Sequence, residues 1–465
     1  MMMLQIATLK HLFHPDPLKT DSVCHPLSSL LYQTLLRINR SGDIPVADLA
    51  SSWMHSDDYR LWSFAIAPAC FTDGQTVSAS HVTHSLARHV WPASSSIFAN
   101  ILRELILGAA ACAEGEIPAG LYANDEQSRL FIQLQQPYCS LLEILAHPAM
   151  GISLQIAEDK IIGSGPMLIS SKSTTEIRLH RNQHYAGQRQ LPEDICIQVH
   201  DEFDAIVQTL QSSTADAALL ERQHQLKLDD MQGMHSTPLR DRWSGMLILN
   251  AAGVFNQLEI RKDFHALLQQ QVRKKLVALY HADFIPADIL AIPSGAVSEI
   301  SLAVFQQRWS QHFSDTAVRI IYAAGRGPLS TALDCAIELL QACGIHCELI
   351  RTKNAAEVYT CVASGEFDIV ARGWIQDYDD ADQYFGVYEK QAPQAEALTA
   401  YQQFYEAIAA ARYLGQPDTR SAAYAQALQA LNEEYLCTTV CRDHHRIFHH
   451  RDLLLQELCR DPFDL

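Results

Sequence analysis

The stretch VRIIYAAGRGPLSTALDCAIELLQACGIHCELIRTKNAAEVYTCVASGEFDIVARGW, residues 318–374, decides the fold class. Its opening run, 318–324, is β-branched, aromatic and small, which is a strand signal. A glycine-rich turn, Gly325-Arg326-Gly327, follows. Pro328 then opens a segment whose apolar residues Leu329, Ala332, Leu333, Ala336, Ile337 and Leu340 recur at helical spacing. Proline at a helix's first position and Gly344 just past its end are the expected punctuation. Residues 345–352 read as a second strand, 357–364 as a short helix and 367–374 as a third strand. This β-α-β-α-β order implies an α/β fold with a parallel sheet and right-handed crossovers.

Open α/β sheets bind ligands beyond the carboxyl ends of their strands. Two charged residues fall there: Arg326 after the first strand and Asp377 after the third. Arg326 also precedes a helix N-terminus, where free N–H groups and the helix dipole favour an anion. A carboxylate at Arg326 and an ammonium at Asp377 suit a zwitterion such as a short peptide. The plainer alternative is two solvated loop charges.

Outward from this core, 61–71 (LWSFAIAPACF) reads as a strand, followed by a turn at Thr72-Asp73-Gly74 and a helix around Ser80–Ala87. Gly163-Ser164-Gly165-Pro166 is a second turn signal, leading into 167–171 and then 177–182, which read as antiparallel strands of a separate lobe. Residues 258–280 form a long amphipathic helix whose basic side chains read as a solvated face.

Composition bounds the function. The 465 residues suffice for two or three domains, and 48% hydrophobic with 19% charged residues is globular composition. A net charge of −18 without any run of Lys and Arg argues against nucleic acid as a direct partner. No stretch approaches 18 uninterrupted apolar residues, so no membrane-spanning helix is expected. The opening MMMLQIATLKHLFHPDP puts Gln5 and Lys10 where a signal peptide would be apolar, and no small-residue cleavage site follows. The 12 cysteines contain no CxxC pair and read mostly as buried, reduced thiols.

The motifs, taken together, resemble those of the family 5 extracytoplasmic solute-binding proteins, the dipeptide- and oligopeptide-binding components of ABC importers. Pro26-Leu27 with LLYQTLLRIN (30–39) is similar to the family's segment before its first hairpin. Pro45, Leu49, Ala50, Trp53 and then Phe71, Asp73, Gly74, Ala79 and Val82 follow its "P-x-LA-x-x-W … W-x-F-x-L … F-x-DG-x-x-x-x-A-x-DV" signature, with His81 where Asp is usual. Gly163-Ser164-Gly165-Pro166 resembles "GTGP", and Arg181, Asn182 and Tyr185 resemble "RN-x-x-Y". Residues 365–385 resemble "G-x-FD-x-x-x-x-GW-x-x-DY-x-DP-x-x-F", with Ala381 in place of the proline.

The resemblance implies a two-lobe periplasmic-binding-protein-like fold of the large peptide-binding class, with a hinge and an interlobe cleft. The first lobe would comprise 1–240 plus 432–465, with an inserted subdomain at about 43–158, and the second 241–431. Asp377 would pair with the ligand's α-ammonium and Arg326 with its carboxylate. Trp374, Tyr378 and Tyr384 would supply pocket walls. The partners implied are a small peptide and the permease subunits of an ABC importer, with no cofactor, no stable membrane insertion and a monomeric state. The compartment implied is the periplasm.

Other constellations carry less. His445 and His449, with Cys441 and His444 nearby, have helical spacing for a metal, but the segment is expected to be a strand, where residues four apart stand ~13 Å apart along the chain. GxSxG, HExxH and GxxxxGK motifs are absent, so no enzyme is expected. Asp379, Asp380 and Asp382 lack the glycine and glutamate of an EF-hand loop. The rival reading is a cytoplasmic ligand-sensing domain, related to transcriptional regulators that carry a solute-binding domain but without their DNA-binding head.

Overall fold

The computed structural model describes residues 3–20, 22–38, 45–157, 160–187, 191–220, 228, 233–238, 242–280, 300–313, 317–323, 328–352, 355–376, 399–414, 416–443 and 446–450. Within them, residues 318–376 fold as strand Val318–Ala323, helix Pro328–Ala342, strand Cys347–Thr352, helix Ala355–Ser364 and strand Ile369–Gln376. The three strands are parallel, with Val318–Ala323 in the middle. The first crossover therefore moves one way across the sheet and the second moves back. Right-handed connections then require the two helices to lie on opposite faces. Accordingly, Ala332, Ala336 and Leu340 pack in one core with Ile320 and Ile369. Val358 and Val362 pack in another, with Ile321 and Val370. Neighbouring strand residues thus bury on both sides, as a covered parallel sheet demands.

Two antiparallel strands, Arg242–Leu249 and Cys437–Asp443, complete this five-stranded sheet. Helix Leu258–Tyr280 covers the first face through Ile260, Phe264, Leu267 and Leu268. Its basic residues are not uniformly solvated. Arg261 is 1% exposed. Its guanidinium pairs with Glu434 at 2.7 Å and donates to the Phe255 carbonyl at 2.9 Å. The turn at 433–436 sits over the helix's first turn, so a buried cation satisfies the backbone oxygens there. Helices Thr399–Arg412 and Pro417–Asn432 cover the second face with Phe404, Ile408, Tyr424 and Leu428.

A seven-stranded sheet is built around Leu4–Leu9. This strand runs parallel to both neighbours, Asp194–His200 and Ala217–Leu220. Antiparallel strands Glu176–Arg181 and Met167–Lys172 extend one side; Arg446–His450 and then Met234–Pro238 extend the other. The chain passes from this sheet to the five-stranded one between Pro238 and Arg242, and back between Asp443 and Arg446. The strand ends flanking them lie side by side, since Pro238 pairs with Arg446 and Trp243 with Asp443.

Residues 45–157 carry a four-stranded antiparallel sheet of Ala50–His55, Leu61–Ile66, Arg129–Gln133 and Leu121–Asn124. Its core joins Trp62, Phe64 and Leu130 to Val82 and Leu86 of helix Ala79–Ala87. The strand expected over 61–71 stops at Ile66, two residues before Pro68, which has no N–H to give a ladder.

Among the described residues no helix is long and apolar enough to cross a membrane. The ten cysteines whose side chains are described are all free thiols. Cys24, Cys112, Cys196 and Cys335 are buried and the rest half-buried, so burial is less general than the composition suggested.

Candidate functional site

The motif residues of the first half prove to be joints between bodies. Gly163 accepts a hydrogen bond from the Thr72 amide at 3.0 Å, and the Gly165 amide donates to the Leu31 carbonyl at 3.0 Å. A Cβ on Gly163 would stand 2.2 Å from that same carbonyl oxygen. Glycine is required by the close approach. Asn182, 3% exposed, holds the turn in place by donating from Nδ2 to the Gly165 carbonyl at 2.8 Å. Asp73 receives the Gln75 amide in a turn where Gly74 has φ +88°. His81, in the place of the family's usual Asp, closes the helix end instead. The Ser78 hydroxyl accepts the His81 amide, and His81 Nδ1 accepts the Ser78 amide at 3.2 Å. The imidazole does the work of a capping-box carboxylate.

At the second sheet, the motif's Phe367 and Asp368 fix one end of strand Ile369–Gln376. Asp368, 4% exposed, accepts from the Arg319 amide at 2.8 Å and the Val254 amide at 3.2 Å. Asn250 donates to the Phe367 carbonyl at 2.7 Å. These bonds lock the strand to both its neighbours, so its far end emerges in a fixed place.

That far end is where the candidate site begins. Strand Val318–Ala323 stops beside Ala371, while its neighbour continues to Gln376 along Arg242–Gly245, next to the crossing between sheets. Trp374 lies on this extension, opposite Ser244. Its ring is half-buried against the second face's core, and its indole N–H is withdrawn from water without a hydrogen-bond partner. Buried donors are rarely left so, and each costs about 1–3 kcal/mol. Arg372, two residues earlier and therefore on the same face, places its guanidinium 5.5 Å from the Trp374 ring centroid. The site thus offers a cation, an aromatic face and an open N–H donor, which together suit a polar ligand with an acceptor oxygen.

Of the site residues read from the sequence, Trp374 is among the described ones. Arg326, Asp377, Tyr378 and Tyr384 lie outside them, as do Asp379, Asp380 and Asp382. In the chain, Asp377 directly follows the last residue of strand Ile369–Gln376, and Arg326 falls between strand Val318–Ala323 and Pro328. Arg372 was not singled out from the sequence. The period of two along VARGW could have paired it with Trp374.

The histidine-rich end is a strand, Arg446–His450, with His444 and His445 outside the described residues. His449 Nε2 meets the Thr237 hydroxyl at 3.0 Å. Among the described residues no group of three or more His, Cys, Asp or Glu side chains could hold a metal ion.

Two α/β bodies joined by a pair of neighbouring passages define the class: a two-lobe α/β fold like that of the periplasmic binding proteins. Residues 45–271 match the model of bacterial extracellular solute-binding proteins, family 5 middle region. No curated protein matches it by sequence. Among solved structures it is similar to Helicobacter pylori DppA, an ABC transporter-associated periplasmic binding protein in complex with the peptide STSA. That match has TM-score 0.72 and 16% identity, over 97% of this chain and 94% of the other. Haemophilus influenzae OppA, in complex with RPPGFSPFR, gives TM-score 0.72 and 17% identity over 99% and 97%. The Escherichia coli murein tripeptide binding protein MppA gives TM-score 0.72 and 17% identity over 99% and 96%. At such identities the likeness establishes the fold.

Proposed function

We propose that this protein binds short peptides, or a similar small zwitterion, in a cleft between two lobes and delivers them to an ABC importer without chemical change. The lobes are 1–240 plus 432–465, with the insertion at about 43–158, and 241–431. Their hinge is the pair of adjacent passages at 238–242 and 443–446. The observation that carries the reading is the unpartnered indole N–H of Trp374, held at the carboxyl end of a parallel strand beside those passages.

Closure buries the ligand's ends, where charge-assisted hydrogen bonds are strongest. Asp377 follows Trp374 by three residues and receives the α-ammonium. Arg326, from the turn after the neighbouring parallel strand, receives the carboxylate. The Trp374 indole donates to a backbone oxygen of the ligand, and Tyr378 and Tyr384 wall its side chains. Of the similar proteins, Helicobacter pylori DppA is in complex with a tetrapeptide and Haemophilus influenzae OppA with a nonapeptide, which supports peptides as the class. The working compartment is extracytoplasmic, the protein acts as a monomer, and its second partner is the permease.

The test is a thermal-shift screen of refolded, ligand-stripped protein against di-, tri- and tetrapeptides with free and acetylated N-termini. A ligand at 100 times its Kd adds about 2.7 kcal/mol of stability. Free peptides shift the transition and acetylated ones do not. A shift that survives acetylation removes the ammonium site, and no shift with any peptide removes peptides as the ligand class.

A further inference from the structure

The four-stranded subdomain is tied to the first sheet's body through Arg88 and Asp16 and through Thr72 and Gly163. A second set of contacts ties it to the other body. Arg420 stands on helix Pro417–Asn432, whose Tyr424 and Ala427 pack on the five-stranded sheet. Its side chain reaches away from that sheet and is 2% exposed. The guanidinium lies 4.9 Å from the Tyr138 ring centroid and 5.1 Å from that of Tyr424. It donates to the Ser140 hydroxyl and, at 3.2 Å, to the Cys139 sulfur. Tyr138 belongs to the subdomain's core. Beside it, Glu104 of the subdomain accepts from the Tyr413 hydroxyl at 2.9 Å and pairs with Arg412 at 3.4 Å.

The two bodies are therefore joined twice: covalently at 238–242 and 443–446, and again through these side chains. A rotation about the covalent joint changes the separation of the second set. We propose that Arg420 is a positioning residue, a clasp that holds the two lobes together before any ligand arrives. Tyr424 keeps the guanidinium extended by accepting from Nε and Nη2 at 3.1 and 3.0 Å, so the donor is presented to the subdomain rather than folded back. Tyr138 supplies a ring face for the cation and Ser140 an oxygen, a lock with one tooth. The proposal rests on the reading that the ligand is captured between the lobes, and it makes affinity depend on a residue remote from Trp374. A clasp of this kind raises the fraction of binding-competent molecules, which multiplies apparent affinity.

Small-angle scattering of ligand-stripped protein tests it, and because no ligand is used, a wrong peptide assignment leaves the result intact. Arg420→Ala should raise the radius of gyration above the ~23 Å of a compact chain of this length, while its far-ultraviolet dichroism stays native. Arg420→Lys should return it part of the way. A folded Arg420→Ala protein with an unchanged radius overturns the proposal. If Arg420→Ala fails to fold, the pair Glu104→Gln and Tyr413→Phe decides, since Glu104 is exposed and Tyr413 half-buried. Expansion of that double variant supports the clasp, and no expansion overturns it.

Discussion

Arg88 and Asp16, 72 residues apart in the chain, meet at 2.7 Å with side chains only 9% and 5% exposed. Arg88 also donates to the Ser153 hydroxyl at 2.7 Å, and the other Asp16 oxygen caps the Leu18 amide at 3.2 Å. One pair thus seals the inserted subdomain to the opening segment of the chain. Removing one partner of a buried pair strands the other charge and costs about 3–5 kcal/mol. Arg88→Met should lower the denaturation midpoint accordingly, and adding Asp16→Asn should recover much of the loss. A double variant no more stable than Arg88→Met would mean the charge pair is not the source.

Acid should loosen this same region. His89 is pushed down to about 3 by burial and then by Arg88, and burial with His25 and His89 takes His147 well below its ordinary value. In the other body, burial alone takes His265 of helix Leu258–Tyr280 down to about 4. The unfolded chain therefore binds these protons first. Stability is full above about pH 6.5 and falls as pH drops from there toward the folded values, by about 2 kcal/mol for each of His89 and His265 on reaching pH 5. Urea midpoints at pH 7 and 5 measure it, and His89→Gln should flatten the slope.

Gly163 and Gly165 admit no side chain, because Leu31 stands 2.2 and 2.4 Å from the Cβ each would gain. Alanine at either should cost about 1–3 kcal/mol or more through overpacking. Gly115, with φ +83° and open space around it, should lose only ~1–2 kcal/mol on the same change, from its backbone alone. Equal melting shifts at Gly163 and Gly115 would contradict the joint described above.

Trp374→Phe keeps an aromatic face and deletes the N–H. Titration calorimetry with a peptide identified in the screen should show about 0.5–1.5 kcal/mol lost. An unaltered Kd would place the indole outside the site.

Asp377→Asn should weaken peptide binding by about 2–5 kcal/mol, the scale for truncating one partner of a buried charge pair. Arg326→Ala should harm dipeptides more than longer peptides, on the proposal that Arg326 receives a dipeptide's carboxylate. Equal losses across lengths would deny it the carboxylate.

Periodicity made the second sheet legible. β-branched and aromatic runs marked 318–324 and 367–374 as strands, which the fold places at 318–323 and 369–376, and helical spacing with Pro328 and Gly344 marked the helix after the first. The Thr72-Asp73-Gly74 motif pointed to the right turn because its chemistry is local. Buried arginines were another matter. Arg261, Arg372 and Arg420 look in sequence like any surface cation, and only the folded partners, a carbonyl pair, an indole and two phenols, distinguish them. The strand of 61–71 was read five residues too long because its apolar run continues past the proline that ends the ladder.

The order of strands in the seven-stranded sheet sets a schedule for synthesis. Strand Met234–Pro238 touches that sheet only through Arg446–His450, which the ribosome delivers some two hundred residues later. Every strand of the five-stranded sheet, by contrast, lies between 242 and 443. Its edge strand Cys437–Asp443 nonetheless arrives just before Arg446–His450, so both sheets are completed almost together, and the flank of Ala217–Leu220 is left uncovered for about half of translation.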